Sequence, residues 1–125
     1  MMQSRTRTKG FVKGISREVE ARLKTTDRGK VAVDAVRLMR GDVMQLALAS
    51  GDLPRIAAMA IGPIVVGAAT VDQLFARRLT ANDVERLDQL FDLLDRQGNQ
   101  RIRTATSDLR RLFADGEDRT IADLV

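Results

Sequence analysis

The sequence contains no cysteine, histidine, tyrosine or tryptophan, and its aromatic residues are four phenylalanines. Without cysteine there is no disulfide framework and no thiolate metal site. Without histidine the chain lacks the commonest general base and the commonest transition-metal ligand, which excludes Ser-His-Asp and Cys-His arrangements. A carboxylate-only site remains chemically open, with Asp92, Asp95 and Asp108 as its nearest approach. The arginines beside them favour ordinary surface solvation. The chain therefore reads as a non-enzyme, with no cofactor, no metal site and no small-molecule substrate in evidence. No G-x-x-x-x-G-K-[ST] run is present, so Gly10 and Gly14 do not form a phosphate loop.

Acidic residues are missing from the first 17 positions; the first is Glu18. Residues 1–41 carry a net charge of +7 and residues 42–125 a net of −3. A basic arm on a mildly acidic body is the arrangement expected for binding nucleic acid or an anionic surface. The competing reading is a solvated tail that aids solubility. No apolar stretch follows the basic start, so no secretory signal is expected, and a cytoplasmic location follows. An acid-poor start with Arg, Ser and Thr also describes organellar transit peptides.

What the chain has in abundance is one uncharged run, Ile56–Val71, sixteen residues reading IAAMAIGPIVVGAATV. Water must be kept from it, so the other elements are expected to wrap around it. A membrane span needs about 20 apolar residues. This run is shorter, has Gly62-Pro63 at its centre and is closed off by Asp52 and Arg55 on one side and Asp72 on the other. A buried core or subunit-interface helix is the better reading.

Periodicity supports helices almost throughout. Residues 1–14 read as a flexible basic arm and residues 15–125 as a single helical domain. Ser16 is a candidate N-cap for a short helix to Lys24 with Val19 and Leu23 inward. Thr26-Asp27 starts the next helix, Arg28 to about Ala49, with Val31, Ala35, Leu38, Met39, Val43, Leu46 and Ala47 at helical spacing. Gly41 within it predicts a close contact or a bend, and Gly51 a left-handed C-terminal residue. Asp52 is expected to cap the apolar helix, and Gly62-Pro63 to break or kink it near Ile61, with a new helix from Pro63 to about Arg78. Thr80 and Asp83 form a capping box ahead of the stripe Val84, Leu87, Leu90, Phe91 and Leu94. Gly98 ends that helix. A last one, about Ala105 to Ala114, buries Leu109, Leu112 and Phe113, and Ile121 and Leu124 dock a short turn. The fold class is all-α: a compact bundle of about five helices around a Gly-Pro-kinked central helix.

Leu79–Phe113 resembles an EF-hand. The resemblance places Asp95, Asn99 and Ile102 at loop positions 1, 5 and 8. The departures are Gln100 at the turn glycine, Thr106 at the bidentate glutamate, and Arg101 and Arg103 within the loop. Thr26–Met39 is a fainter echo, with Gly29 and Val31 in loop-like places and no acidic ligands. Arg40-Gly41-Asp42 spells an integrin-recognition tripeptide, but inside a predicted helix.

The candidate phosphate contacts are Arg5, Arg7, Lys9, Lys13, Arg17, Arg22, Lys24, Arg28 and Lys30. They would give affinity for DNA or RNA through counterion release, without base readout. Phe11 is placed to stack on a base. A second cluster, Arg96, Arg101, Arg103, Arg110 and Arg111, either extends the footprint or pairs with Asp92, Asp95 and Asp108. Ala58 and Gly62 make a small-xxx-small pair, and with Val66 and Ala69 they form the candidate oligomer interface for a second copy or another protein. The reading that follows is an oligomeric helical binding protein whose basic arm contacts nucleic acid. The alternatives are a protein–protein adaptor or assembly subunit, and a peripheral membrane protein using arm and apolar helix together.

Overall fold

The computed structural model describes residues 17–125. The expected arm, the Ser16 cap and the residue 14/15 boundary lie outside the described residues. Among the described residues seven helices follow one another: α1 (Arg17–Leu23), α2 (Asp27–Ala49), α3 (Asp52–Val65), α4 (Val71–Ala76), α5 (Ala81–Gln97), α6 (Gln100–Phe113) and α7 (Ile121–Leu124). They pack as a compact all-α bundle in which α5 lies against α3 and α6, and α6 lies against α2. Helix α1 folds back on α2, and α7 docks on α4. One antiparallel bridge, Arg78 with Thr120, is the extended pairing among the described residues.

Helix α5 supplies the centre of the core. Its start is the expected capping box: the Asp83 N–H donates to Thr80 Oγ1 at 3.1 Å, and the Thr80 N–H donates to Asp83 Oδ2 at 2.9 Å. Leu87, Leu90, Phe91 and Leu94 are buried as the 3–4 spacing requires, and Leu93 joins them. Phe91 packs against Phe113 of α6 with ring centroids 6.3 Å apart. Gly98 ends α5, and a Cβ there would come within 2.5 Å of Ile102, so the tight corner into α6 requires glycine.

Several local expectations are corrected. Helix α6 begins at Gln100 rather than near Ala105, because Asn99 Oδ1 accepts the Ile102 N–H at 2.9 Å and caps it early. Gly51 is right-handed (φ −68°) and is itself the N-cap of α3, since two residues suffice to turn from α2 into α3. Asp52 is the first helical residue and pairs with Arg55 instead of capping. Helix α3 runs on through Pro63 to Val65, so the expected break and new helix at Pro63 do not occur. Pro63 sits in the last turn, where little helix remains to be disrupted. The chain leaves through Gly67, which is left-handed (φ 84°), and α4 starts only at Val71 behind a Thr70 cap.

Burial on α2 also differs. Val31 and Leu38 are about half exposed (48% and 47%), whereas Ala32, Val33, Ala35 and Met39 are buried. The reason is that α2 serves two neighbours. Val33 turns toward Leu23 of α1 and Phe75 of α4, while Ala32, Ala35 and Met39 join the main core. Small side chains at the contact let helices approach closely, which rolls the larger Val31 and Leu38 to the rim. Gly41 makes no close contact, since a Cβ there would meet nothing within 4 Å. The glycine that geometry does demand is Gly29, where a Cβ would fall 1.9 Å from the Leu23 carbonyl oxygen.

These two glycines predict opposite outcomes. Gly29→Ala is expected to destabilise the fold by about 1–3 kcal/mol through overpacking of the α1–α2 turn. Gly41→Ala is expected to stabilise it by up to about 1 kcal/mol through helix propensity. Urea denaturation of both variants beside the parent chain checks the pair.

Candidate functional site

The α1–α2 hairpin gathers the basic residues that fall within the described chain. Four of the nine candidates, Arg5, Arg7, Lys9 and Lys13, lie outside the described residues. Arg22 reaches across to α4, where Nη1 donates to Asp72 Oδ1 at 2.9 Å and the guanidinium lies 5.3 Å from the centroid of Phe75. Its charge helps to hold α1 on α4. Lys24 stands 3.6 Å from Glu20 one turn earlier in the chain. Arg17, Arg28 and Lys30 are exposed and engage no acid among the described residues. Arg28 lines an open hollow of about 120 Å³ at the α2–α6 seam together with Val31, Ala32, Asp108, Arg111 and Leu112.

The second basic cluster is taken up largely by the chain's own acids. Arg110 is the clearest case, with Nη2 donating to Asp95 at 2.9 Å and to Asp92 at 3.1 Å and Nη1 standing 3.8 Å from Asp88. It also lies 5.7 Å from the Phe91 ring centroid. Burial weakens its charged form, but the Asp95 and Asp92 carboxylates outweigh that and raise its pKa above the ordinary arginine value. Arg111 pairs with Asp108 at 3.4 Å and Arg101 with Asp42 at 3.6 Å. Arg103 donates to the Gly98 carbonyl oxygen and to Gln100. Of this group, Arg96 meets no acid among the described residues. The Arg40-Gly41-Asp42 triplet lies within α2, with Asp42 turned to Arg101.

The EF-hand resemblance does not extend to a loop. Asp95 lies inside α5 and Gln100–Thr106 inside α6, so two residues, Gly98 and Asn99, stand where twelve would be needed. Among the described residues no group of three or more acidic side chains is placed to hold a metal ion. The Thr26–Met39 echo is likewise a plain N-cap: Thr26 Oγ1 accepts the Gly29 N–H at 3.1 Å.

The candidate interface residues sit on the side of α3 that turns away from α5. Leu53, Ala60 and Ile64 face inward and are buried. Ala58 is exposed, Gly62 half-buried and Val66 73% exposed, while Ala69 is exposed beyond the helix end. Met59 and Ile61 add to this surface, each nearly half exposed. A Cβ on Gly62 would meet nothing within 4 Å, so no contact inside the chain demands glycine there. The expectation that the other elements wrap the apolar run is met on one side of α3 only. Among the described residues no helix is long and apolar enough to cross a membrane.

Sequence reasoning missed the most buried ionic group. Asp83 is 2% exposed and pairs with Arg77 Nη1 at 2.9 Å, with Arg86 at 4.0 Å. Its capping role was legible, but Arg77 was not, because it lies beyond the end of α4 and is aimed by the turn. Burial pushes the Asp83 carboxyl up. The Thr80 N–H and the Arg77 guanidinium outweigh that and hold it below the usual carboxylate range.

Comparison with family models, with curated proteins and with solved structures returned no match for this chain.

Because its folded pKa is lowered, Asp83 contributes stability that is present above the unfolded carboxylate pKa, near 4, and is lost as pH falls through the folded value. Asp83→Asn is expected to be less stable at pH 7 and to lose less further stability on acidification than the parent chain. Denaturation midpoints from pH 7 down to pH 2.5 test this, and parallel acid limbs would rule it out.

Proposed function

We propose that this chain is a non-enzymatic helical binding protein whose basic N-terminal region contacts nucleic-acid phosphates. The observation that carries the reading is the uneven spread of charge, a net +7 over residues 1–41 against −3 over residues 42–125. Arg77, Arg101, Arg110 and Arg111 meet acids of their own chain, whereas Arg78, Arg96, Arg103 and Arg119 meet none among the described residues. Arg17, Arg28 and Lys30, on the hairpin at which the arm joins the fold, meet none among the described residues. The four arm cations Arg5, Arg7, Lys9 and Lys13 precede the first acid in the sequence. Excess positive charge at one end of a molecule steers it toward polyanions and binds them by releasing counterions, which requires neither a recognition helix nor aromatic stacking.

A second reading rests on a different observation, the uncovered apolar side of α3. A helix that is apolar all round is normally buried, and contiguous exposed apolar surface marks interaction sites. Ala58, Gly62 and Val66 would allow close approach of a second copy or another protein, so that the chain assembles through α3 and uses its basic end elsewhere. An adaptor or assembly subunit without nucleic-acid affinity would retain this surface alone.

Fluorescence anisotropy with labelled duplex DNA and single-stranded RNA, from about 50 to 200 mM salt, separates the readings. For duplex DNA the expected result is a steep linear fall of log affinity with log salt. Replacing Arg5, Arg7, Lys9 and Lys13 together by glutamine should make that slope shallower by about 3–4, one counterion per lost phosphate contact. Absence of binding by the parent chain at 50 mM salt would end the nucleic-acid reading and leave the assembly reading in place.

A further inference from the structure

Helix α3 buries Leu53, Ala60 and Ile64 against the core built on α5 and presents its other side outward. Ala58 and Ile61 form one row of that outward side, and Arg55, Met59, Gly62 and Val66 the row beside it, at the 3–4 spacing of a single helical face. Ala58 and Gly62 stand about 40° apart around the helix axis, with Met59 and Ile61 on either flank. Met59 and Ile61 are each nearly half exposed, and Val66 is more exposed still. A Cβ on Gly62 would meet nothing within 4 Å. The outward side is therefore a saddle of two small residues between larger apolar ones, with one charge, Arg55, near its start.

Shape and charge both select a second copy of the chain as the cover. Ala58 and Gly62 lie two residues to either side of the level of Ala60, and Met59 and Ile61 one. Turned end for end, the face fits itself, as an isologous contact requires. Ala58 of one copy then comes level with Gly62 of the other, where small side chains let the two helices approach closely. Met59 and Ile61 close the two flanks of the crossing, each beside its counterpart. A parallel pair would set Arg55 against Arg55. The antiparallel pair separates them by about 15 Å along the axis. It also lays each Arg55 beside the last turn of the other α3, the negative end of that helix. Within its own chain Arg55 meets Asp52 at 3.6 Å, with both side chains mostly exposed, and Asp52 falls beyond the end of the facing helix.

Area sets the strength of the contact. From Arg55 to Val66 the face runs about 17 Å, and the outward half of a helix offers about 300–400 Å² over that length. Two copies would bury about 600–800 Å² in all, below the roughly 1,200–2,000 Å² of stable complexes. We propose that two copies of this chain pair antiparallel through the outward sides of α3, crossing at Ala58 and Gly62, as a weak dimer that forms and dissociates with concentration. This pairing rests on the reading of α3 as an assembly surface and not on nucleic-acid contact by the basic end.

Sedimentation equilibrium of the full-length chain in high salt, which screens association driven by the basic end, tests the dimer. A monomer–dimer equilibrium with a dissociation constant of about 10–100 µM is expected. Ala58→Arg, an exposed position, should weaken it by about tenfold or more. Leu48→Arg, which removes a still more exposed apolar side chain but on α2, should leave it unchanged. Because the sequence has no cysteine, orientation is read by mixing Ala58→Cys and Gly62→Cys chains, one of them mass-tagged, under oxidised glutathione. Like positions would lie about 6 Å apart along the axis as well as across the helix pair. The mixed disulfide should therefore form about fivefold or more faster than either variant's disulfide with itself, since a bridge spans Cα atoms up to about 7 Å apart. Equal or faster self-linking would overturn the antiparallel pairing while leaving assembly through α3 standing. A dimer indifferent to Ala58→Arg would overturn both. A monomer at every concentration would overturn the pairing and assign the face to a different protein.

Discussion

The bundle depends on the apolar stripe of α5. Leu87, Leu90, Phe91 and Leu94 form the shared floor on which α3 rests from one side and α6 from the other. Helix α2 is joined to that floor mainly through α6. A helix with this position must start in one defined place, since a slip of one residue would rotate the whole stripe by about 100°. The Thr80–Asp83 box sets that start, and the Arg77 guanidinium closes over the carboxylate. The C-terminal segment then locks the loop ahead of it. The Leu79 N–H donates to the Arg119 carbonyl oxygen at 2.8 Å, and the Asp118 N–H donates to the Leu79 carbonyl oxygen at 2.8 Å. Asp118 takes up a left-handed conformation (φ 65°) at this point.

Once α5 and α6 are aligned, the charges sort themselves. Asp88, Asp92 and Asp95 recur along one side of α5 and meet Arg110 of α6, while Asp42 of α2 meets Arg101 at the other seam. Exposed pairs of this kind contribute little stability individually. Their consequence here lies in distribution: they take up Arg101 and Arg110, while Arg78, Arg96, Arg103 and Arg119 meet no acid among the described residues, and the net positive excess belongs to the first 41 residues of the sequence. The uncovered side of α3 and the uncovered end of α2 are the apolar counterparts of that excess, surface that folding of the described chain does not use.

Helix starts and the central stripe were legible from residues alone, because both are local. Thr26, Thr70, Thr80, Asn99 and Thr120 each accept a backbone N–H three residues on, and a side-chain oxygen needs no tertiary partner to do so. Three of these five, Thr70, Asn99 and Thr120, are not evident from the residues: Thr70 falls inside the helix expected from Pro63 to Arg78, Asn99 precedes a polar stretch, and Thr120 heads a helix of only four residues. Pro63 illustrates the opposite limit. Proline disfavours helix in the residue before it, yet α3 continues to Val65, since burial of Ala60 and Ile64 against α5 outweighs the local preference. The EF-hand resemblance failed for a related reason. A calcium loop and a two-residue corner share the same flanking helical pattern, and the early Asn99 cap decides between them.

What the sequence determined by itself was therefore the all-α class, the Thr26 and Thr80 caps, the α5 stripe and the separation of a basic start from an acidic remainder. Each depends on spacing or composition within a few turns of helix. Only the tertiary structure decided which side of α2 is buried, that Arg22, Arg101 and Arg110 are held by acids up to 59 residues away in the chain, and that α3 is covered on one side. Those outcomes depend on which helix becomes a neighbour and how closely small residues such as Ala32, Ala35 and Ala105 let it approach. Helical periodicity identifies a face, but the partner that arrives there is selected by packing across the whole chain.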